Sequence, residues 1–208
     1  MMARSSKVKV EPEVMGFEDA AAFERWLEGA SELTQGIWLK LAKKGTGVAS
    51  VTYAEAVDVG LCHGWIDGQA KSVDAVYYLQ RFTPRRKNSV WSKININKVA
   101  VLIASGRMKP GGLAEVERAK ADGRWAAAYD GPATMDVPTE LMAALEGRPQ
   151  AKALFDGLDK TNRYAMCFRV HTAMKPATKA SRVAKVIEML ETGELPYPVK
   201  SSKTKTTG

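Results

Sequence analysis

Residues 65–84 read Trp65-Ile66-Asp67-Gly68-Gln69-Ala70-Lys71-Ser72-Val73-Asp74-Ala75-Val76-Tyr77-Tyr78-Leu79-Gln80-Arg81-Phe82-Thr83-Pro84, and this stretch decides the fold class. Trp65 to Lys71 is an extended arm, and Ser72-Val73-Asp74 is a turn. Val76 to Phe82 is a second arm rich in the aromatic and β-branched residues that suit a pleated surface. The spacing predicts a β-hairpin. In the second arm Tyr78 and Phe82 alternate with Tyr77 and Leu79, so both faces are partly apolar and both are expected to be covered. Thr83-Pro84 ends the arm, because proline offers the ladder no N–H.

Upstream of the hairpin, Ile37, Leu39 and Leu41 alternate with Trp38, Lys40 and Ala42, which predicts at least one more strand. Thr52 and Glu55 form a T-x-x-E capping box ahead of Ala56, Val57, Gly60 and Leu61, and Gly64 is suited to stop that helix. Earlier still, Phe23, Trp26 and Leu27 recur at i, i+3, i+4 in a helix closing near Gly29. Downstream, a helix from about Ser92 to Ser105 is expected to bury Ile96, Val99, Ala100 and Ile103, and Pro110-Gly111-Gly112 opens another. Tyr129 to Pro138 shifts to Asp, Gly, Pro and Thr, the composition of a linker. Past it the pattern is helical only: Pro138 and Pro149 suit first helical turns, Tyr164 to Val170 continues the apolar pattern, and a last helix after Pro176 buries Val183, Val186, Ile187 and Leu190. The expected fold is α+β, with a small antiparallel sheet and packed helices followed by a small all-helical part. The boundaries read as a basic tail over 1–14, an α+β domain over 15–130, a helical domain over 131–197 and a basic tail over 198–208.

The 208 residues carry a formal charge of +8, but Arg4, Lys7, Lys9, Lys200, Lys203 and Lys205 lie in the tails, so the body is nearly neutral. Within it the charge is segregated. No acid stands between Asp74 and Glu115, where eight bases do, and none between Asp159 and Glu188, where seven do. The N-terminal residues hold no apolar run of a secretory signal, and the longest strongly apolar run, Val99 to Ala104, is far short of the ~20 residues that cross a bilayer. With Cys62 and Cys167 as the two cysteines no disulfide framework arises, and the cytoplasm is the expected compartment. Two histidines and two cysteines without C-x-x-C or H-E-x-x-H leave no zinc site at usable spacing, and no phosphate-cradling glycine motif occurs, so neither metal nor cofactor is expected. Cys62 reads as a small buried hydrophobe and His171 as a core or edge residue.

One constellation stands out. From Gln80 and Arg81 the chain runs through Thr83-Pro84-Arg85-Arg86-Lys87 and enters a helix by Ser89, Trp91 and Ser92. Guanidinium forks, a stacking face at Trp91 and the amide groups of a helix start all favour an anion, and Trp65 and Asp67 are the expected neighbours on the first hairpin arm. The opposing reading is a solvated loop whose arginines pair with carboxylates elsewhere.

Lys40-Leu41-Ala42-Lys43-Lys44, Ser50-Val51-Thr52-Tyr53-Ala54-Glu55-Ala56, Cys62-His63-Gly64-Trp65-Ile66-Asp67-Gly68, the Gln80 to Asn95 stretch and Lys175-Pro176-Ala177-Thr178-Lys179 together resemble the YdeI/OmpD-associated family, also called bacteriocin-protection proteins. The likeness runs over about residues 15 to 195. This chain departs from the family at His63, where an aromatic is commoner, and at Thr178-Lys179, where Thr-Arg is. The resemblance implies a bacterial protein connected with resistance to bacteriocins or antimicrobial peptides, and it supplies no reaction and no catalytic residues. The leading expectation is therefore a non-enzymatic binding protein that engages an anionic small molecule or protein through Trp65, Asp67, Gln80, Arg81, Arg85, Arg86, Trp91 and Ser92. The rival is an enzyme acting on a small toxic molecule with Asp67 as base or orienter. A nucleic-acid-binding role ranks third, because the body is nearly neutral.

Overall fold

The computed structural model of the protein describes residues 11–30 and 35–198. The six tail cations named above fall outside them. The described residues form two compact units, one within 1–89 and 95–126 and the other within 90–94 and 127–208.

The first unit contains β1 (Val14–Gly16), α1 (Ala20–Gly29), β2 (Ile37–Ala42), α2 (Tyr53–Cys62), β3 (Trp65–Ser72), β4 (Tyr77–Pro84), most of α3 (Lys93–Ala104) and α4 (Pro110–Ala121). The hairpin is β3–β4, and the sheet order is β1-β2-β4-β3. The sheet is mixed, not purely antiparallel, because β1 pairs in parallel with β2 while the other two pairings are antiparallel. At three residues β1 is too short to carry a period-2 signal, so its sequence did not announce it.

Register explains the core. Ile37 opposes Phe82, Leu39 opposes Gln80 and Leu41 opposes Tyr78, which sends Ile37, Leu39, Leu41 and Phe82 to one side, all essentially buried. Phe23 of α1 meets Phe82 edge-to-face at 5.7 Å, and Trp26 meets Trp65 at 5.8 Å. The helices begin as their caps dictate: Asp19 accepts from the Ala22 N–H at 2.7 Å, and the Thr52–Glu55 capping box is complete. The opposite face of the sheet is closed partly by its own cations. Lys40 lies 3.9 Å from the ring centre of Tyr77, and Arg81 lies 5.7 Å from that of Trp38.

Helix α3 turns a narrower stripe inward than its periodicity suggested. Val99 and Leu102 are buried, while Ala100 and Ile103 face solvent. Helix α4 begins against the end of α2, where the Lys109 N–H donates to the Cys62 carbonyl at 3.1 Å. A Cβ on Gly112 would lie 2.7 Å from the Leu61 carbonyl oxygen, so only glycine permits this approach.

The second unit holds α5 (Thr139–Glu146), α6 (Pro149–Asp156), α7 (Lys160–His171) and α8 (Pro176–Thr192). Its core joins Leu141, Leu145, Phe155, Met166, Val170, Val186 and Leu190. Pro149 and Pro176 occupy first helical turns, where a missing N–H costs nothing, whereas Pro138 is the cap residue of α5 instead of its first turn. Gly193, left-handed at φ 73°, ends α8 and sends the chain back toward α7.

Candidate functional site

The arginine-rich stretch of the first unit is drawn into the scaffold at Gln80 and Arg85 and stays exposed at Arg86 and Lys87. Gln80 is 5% exposed, and its Nε2 donates to the Gly68 carbonyl at 2.7 Å across a bulge between Asp67 and Ala70. Arg81 donates through Nη2 to the Gln35 carbonyl beneath its contact with Trp38; burial, then the charge of Arg86, hold its pKa below the usual arginine range. Asp67 accepts from the Tyr53 hydroxyl at 2.7 Å. Trp65 and Arg85 are each 5% exposed and line a common hollow of about 500 Å³ with His63, Lys109, Glu115 and Arg118. Neither Asp67 nor Arg81 lines that hollow. Arg86 is exposed, and its N–H is held by the Ser89 hydroxyl at 2.9 Å.

Around that hollow the charges are balanced. Lys109 lies 3.2 Å from Glu24 and 3.4 Å from Glu28, and Glu115 pairs with Arg118 at 2.7 Å. Burial lowers the pKa of His63, whose Nε2 lies 3.7 Å from Glu24. Burial raises that of Glu24, but Lys109 and His63 outweigh it and leave the carboxyl below its ordinary range. Burial pushes both thiols, Cys62 and Cys167, above theirs, which is the state of an inert packed cysteine.

Trp91 and Ser92 belong to the second unit and act there by backbone. The Tyr129 N–H donates to the Trp91 carbonyl at 3.0 Å and the Lys93 N–H donates to the Tyr129 carbonyl at 2.9 Å, a short parallel bridge that fixes Tyr129. The Trp91 ring is 1% exposed, so it offers no stacking face to a ligand in this structure.

Tyr129 forms one wall of a second hollow, of about 920 Å³. On α7, Tyr164 and Phe168 stand four residues apart on one face, and Tyr129 meets Phe168 edge-to-face at 4.8 Å. On α8, Ser181, Arg182 and Lys185 face the hollow while Val183, Val186 and Ile187 pack behind them. Arg169 contributes from the last turn of α7 and Thr172 from its cap, and Tyr197 lines the hollow as well. Tyr197 is held by Asn162, which is fully buried: Nδ2 donates to the Tyr197 carbonyl at 3.2 Å and Oδ1 accepts from its N–H at 2.9 Å. The same Asn162 helps cap α7, its N–H donating to Asp159 at 2.8 Å.

This hollow is electrostatically one-sided. No carboxylate among the described residues lines it. Lys185 has Glu188 at 3.1 Å outside it, but among the described residues Arg169 and Arg182 have no carboxylate partner. Arg182 is oriented through Nη1 alone, which donates to the Arg169 carbonyl at 2.7 Å and to the Thr172 hydroxyl at 3.0 Å. Burial, then Tyr129, raise the pKa of Tyr164, so its hydroxyl stays protonated. Two unneutralised guanidiniums beside aromatic faces and hydroxyls suit an anion that also carries a ring. Sequence reasoning registered the acid-free segment that holds these residues but read Tyr164 to Val170 as core. The available signal was an aromatic pair at i, i+4 inside a segment free of acids.

Among the described residues no cluster of three or more His, Cys, Asp or Glu could hold a metal ion, and no helix is long and apolar enough to cross a membrane. Residues 134–193 match the family described as "Bacteriocin-protection, YdeI or OmpD-Associated", and residues 15–115 match a domain of unknown function. Arg169, Arg182 and Lys185 therefore lie within the family match, and Tyr129 and Tyr197 lie just outside it. Of the stretches that carried the resemblance, Lys175 to Lys179 falls in the matched family and those from Lys40 to Asn95 do not. No curated protein and no solved structure matches the chain.

Proposed function

We propose, on the premise that residues 134–193 are a bacteriocin-protection, YdeI or OmpD-associated region, that the protein is a non-enzymatic binding protein serving protection through an anionic ligand held between α7 and α8. The observation that carries this reading is the pair Arg169 and Arg182, without carboxylate partners among the described residues, in an aromatic-walled hollow. A cationic peptide would be repelled by such a surface, so protection works indirectly, through the ligand or through a partner that presents it.

The test compares bacteria producing the protein with those producing R169Q/R182Q or R81Q/R86Q, exposed to a bacteriocin or cationic peptide. Each purified variant is checked for its melting temperature, and R169Q/K185Q is added as a pair that spares the structural bonds of Arg182. Loss of protection with either cleft pair, at unchanged protein level and stability, is expected. Protection that survives both cleft pairs and fails in the β4 pair would move the site to the loop after β4 and overturn the reading.

A further inference from the structure

We infer that the α7–α8 hollow takes a small phosphate monoester of a ring compound, of mononucleotide size; this deepens the functional reading above and rests on it. The first argument is charge. Among the described residues Arg169 and Arg182 have no carboxylate partner and no acid lines the hollow. A monoanion leaves one guanidinium uncompensated in a partly desolvated site, whereas a phosphate monoester, with about −1.5 to −2 charge at neutral pH, matches both.

The second argument is the free edge of Arg182. A guanidinium has five N–H donors, and the two on Nη1 are directed to the Arg169 carbonyl at 2.7 Å and the Thr172 hydroxyl at 3.0 Å. Those bonds fix the plane of the group and leave its Nε–Nη2 edge, the fork that grips two oxygens of one phosphate. Ser181, one residue earlier on α8, adds a hydroxyl to the same wall.

The third argument is the division of the walls. Ser181, Arg182 and Lys185 come from α8, with Arg169 joining them from the last turn of α7, whereas the rings of Tyr164 and Phe168 come from earlier in α7 and that of Tyr129 from the bridge with Ser92. A ligand with a charged end and a flat end satisfies both walls at once, and a bare inorganic anion wastes the second. The volume, about 920 Å³, lies within the roughly 300–1,000 Å³ of small-molecule sites. The backbone of Tyr197 is pinned by two bonds from Asn162, so the wall on that side is fixed, which favours a free small molecule over a polymer strand.

The experiment is calorimetric titration of the full chain with adenosine 5′-monophosphate, adenosine, inorganic phosphate, phenyl phosphate, benzoate and a short single-stranded oligonucleotide. Expected are binding of the monophosphate about tenfold or more tighter than of adenosine or phosphate alone, and a loss of about tenfold in R182K, which keeps the charge and removes the fork. Phenyl phosphate should gain affinity between about pH 5 and pH 7.5 as its second proton leaves, while benzoate should not. Benzoate binding as tightly as phenyl phosphate near neutrality would overturn the phosphate assignment and leave an anion-binding cleft standing. Tighter binding of the oligonucleotide than of the monophosphate would overturn the small-molecule assignment. No binding of any anion by the folded wild-type chain would overturn both this inference and the functional reading beneath it.

Discussion

The stretch from Arg81 to Lys109 and the stretch from Lys160 to Lys185 look alike on paper, each a run of bases without an acid, yet the fold uses them in opposite ways. In the first, five of the eight bases are drawn into pairs or burial, while Arg86, Lys87 and Arg107 stay exposed. Lys98 reaches Asp58 at 2.6 Å, Lys109 reaches Glu24 at 3.2 Å, Lys93 reaches Asp130 at 2.7 Å, Arg81 covers Trp38, and Arg85 is 5% exposed. In the second, Arg163 and Lys179 find Asp156 and Glu140, but Arg182 is oriented by the end of α7, Arg169 donates through Nη1 to the Met189 sulfur at 3.3 Å, and both are left unneutralised beside a hollow. Local charge density therefore does not make a binding site. What matters is whether carboxylates from elsewhere in the chain reach the cations, and whether the scaffold leaves a guanidinium edge over open volume.

The contrast breaks most severely at Gly36. Its φ is +68°, and a Cβ there would lie 2.7 Å from the Thr83 Cα, at the end of the strand that carries Arg81. Gly36→Ala combines left-handed strain with backbone overlap and is expected to cost about 3 kcal/mol or more, read by chemical denaturation. If it costs under about 1 kcal/mol, the end of β4 gives way to the added methyl group.

A smaller effect is expected on the other side of the comparison. Asn162→Ala strands the Tyr197 backbone groups that Asn162 now pairs, and should cost about 1–3 kcal/mol. Amide exchange at Tyr197 should accelerate in the same variant. Unchanged protection of that amide would mean that the wall of the hollow is held by something else.

The smallest effect is one of pH and belongs to the first region. His63 and Glu24 both have folded-state pKa values below their ordinary ones, so the unfolded chain binds more protons than the folded chain as the medium is acidified. Their contribution is complete above the ordinary imidazole range. It is lost as pH falls, first that of His63 and then, in the carboxylate range, that of Glu24. Denaturation midpoints measured from neutral to mildly acidic pH should decline, and less so in His63→Phe. An equal decline in that variant would remove His63 from the account.

Much of the first unit was legible because its signals are local. The alternation over Ile37–Ala42, the capping box at Thr52 and Glu55 and the turn at Ser72–Asp74 are each set by a few adjacent residues. What escaped depends on partners distant in sequence. The strand Val14–Gly16 exists because β2 lies beside it, and α3 buries Val99 and Leu102 because of what packs there, not because of a better period. The burial of Gln80 follows from a bulge at Gly68, which no pattern in β4 encodes. The α7–α8 hollow was hidden for the same reason. Tyr129 arrives through pairing with Trp91 and Lys93, and Tyr197 through Asn162, 35 residues earlier.

The junction of α2 with α4 bears on the smaller hollow as well as on packing. A helix end whose amides point outward is a local source of positive potential, and Pro110 and Gly111 stand on the rim of that hollow. Yet α4 starts nose to tail against the carbonyl terminus of α2, close enough that Gly112 has no room for a methyl group. Two helix dipoles joined in this way largely extinguish each other where they meet. The backbone field at this rim is thus spent on α2 and is not offered to a guest in the hollow.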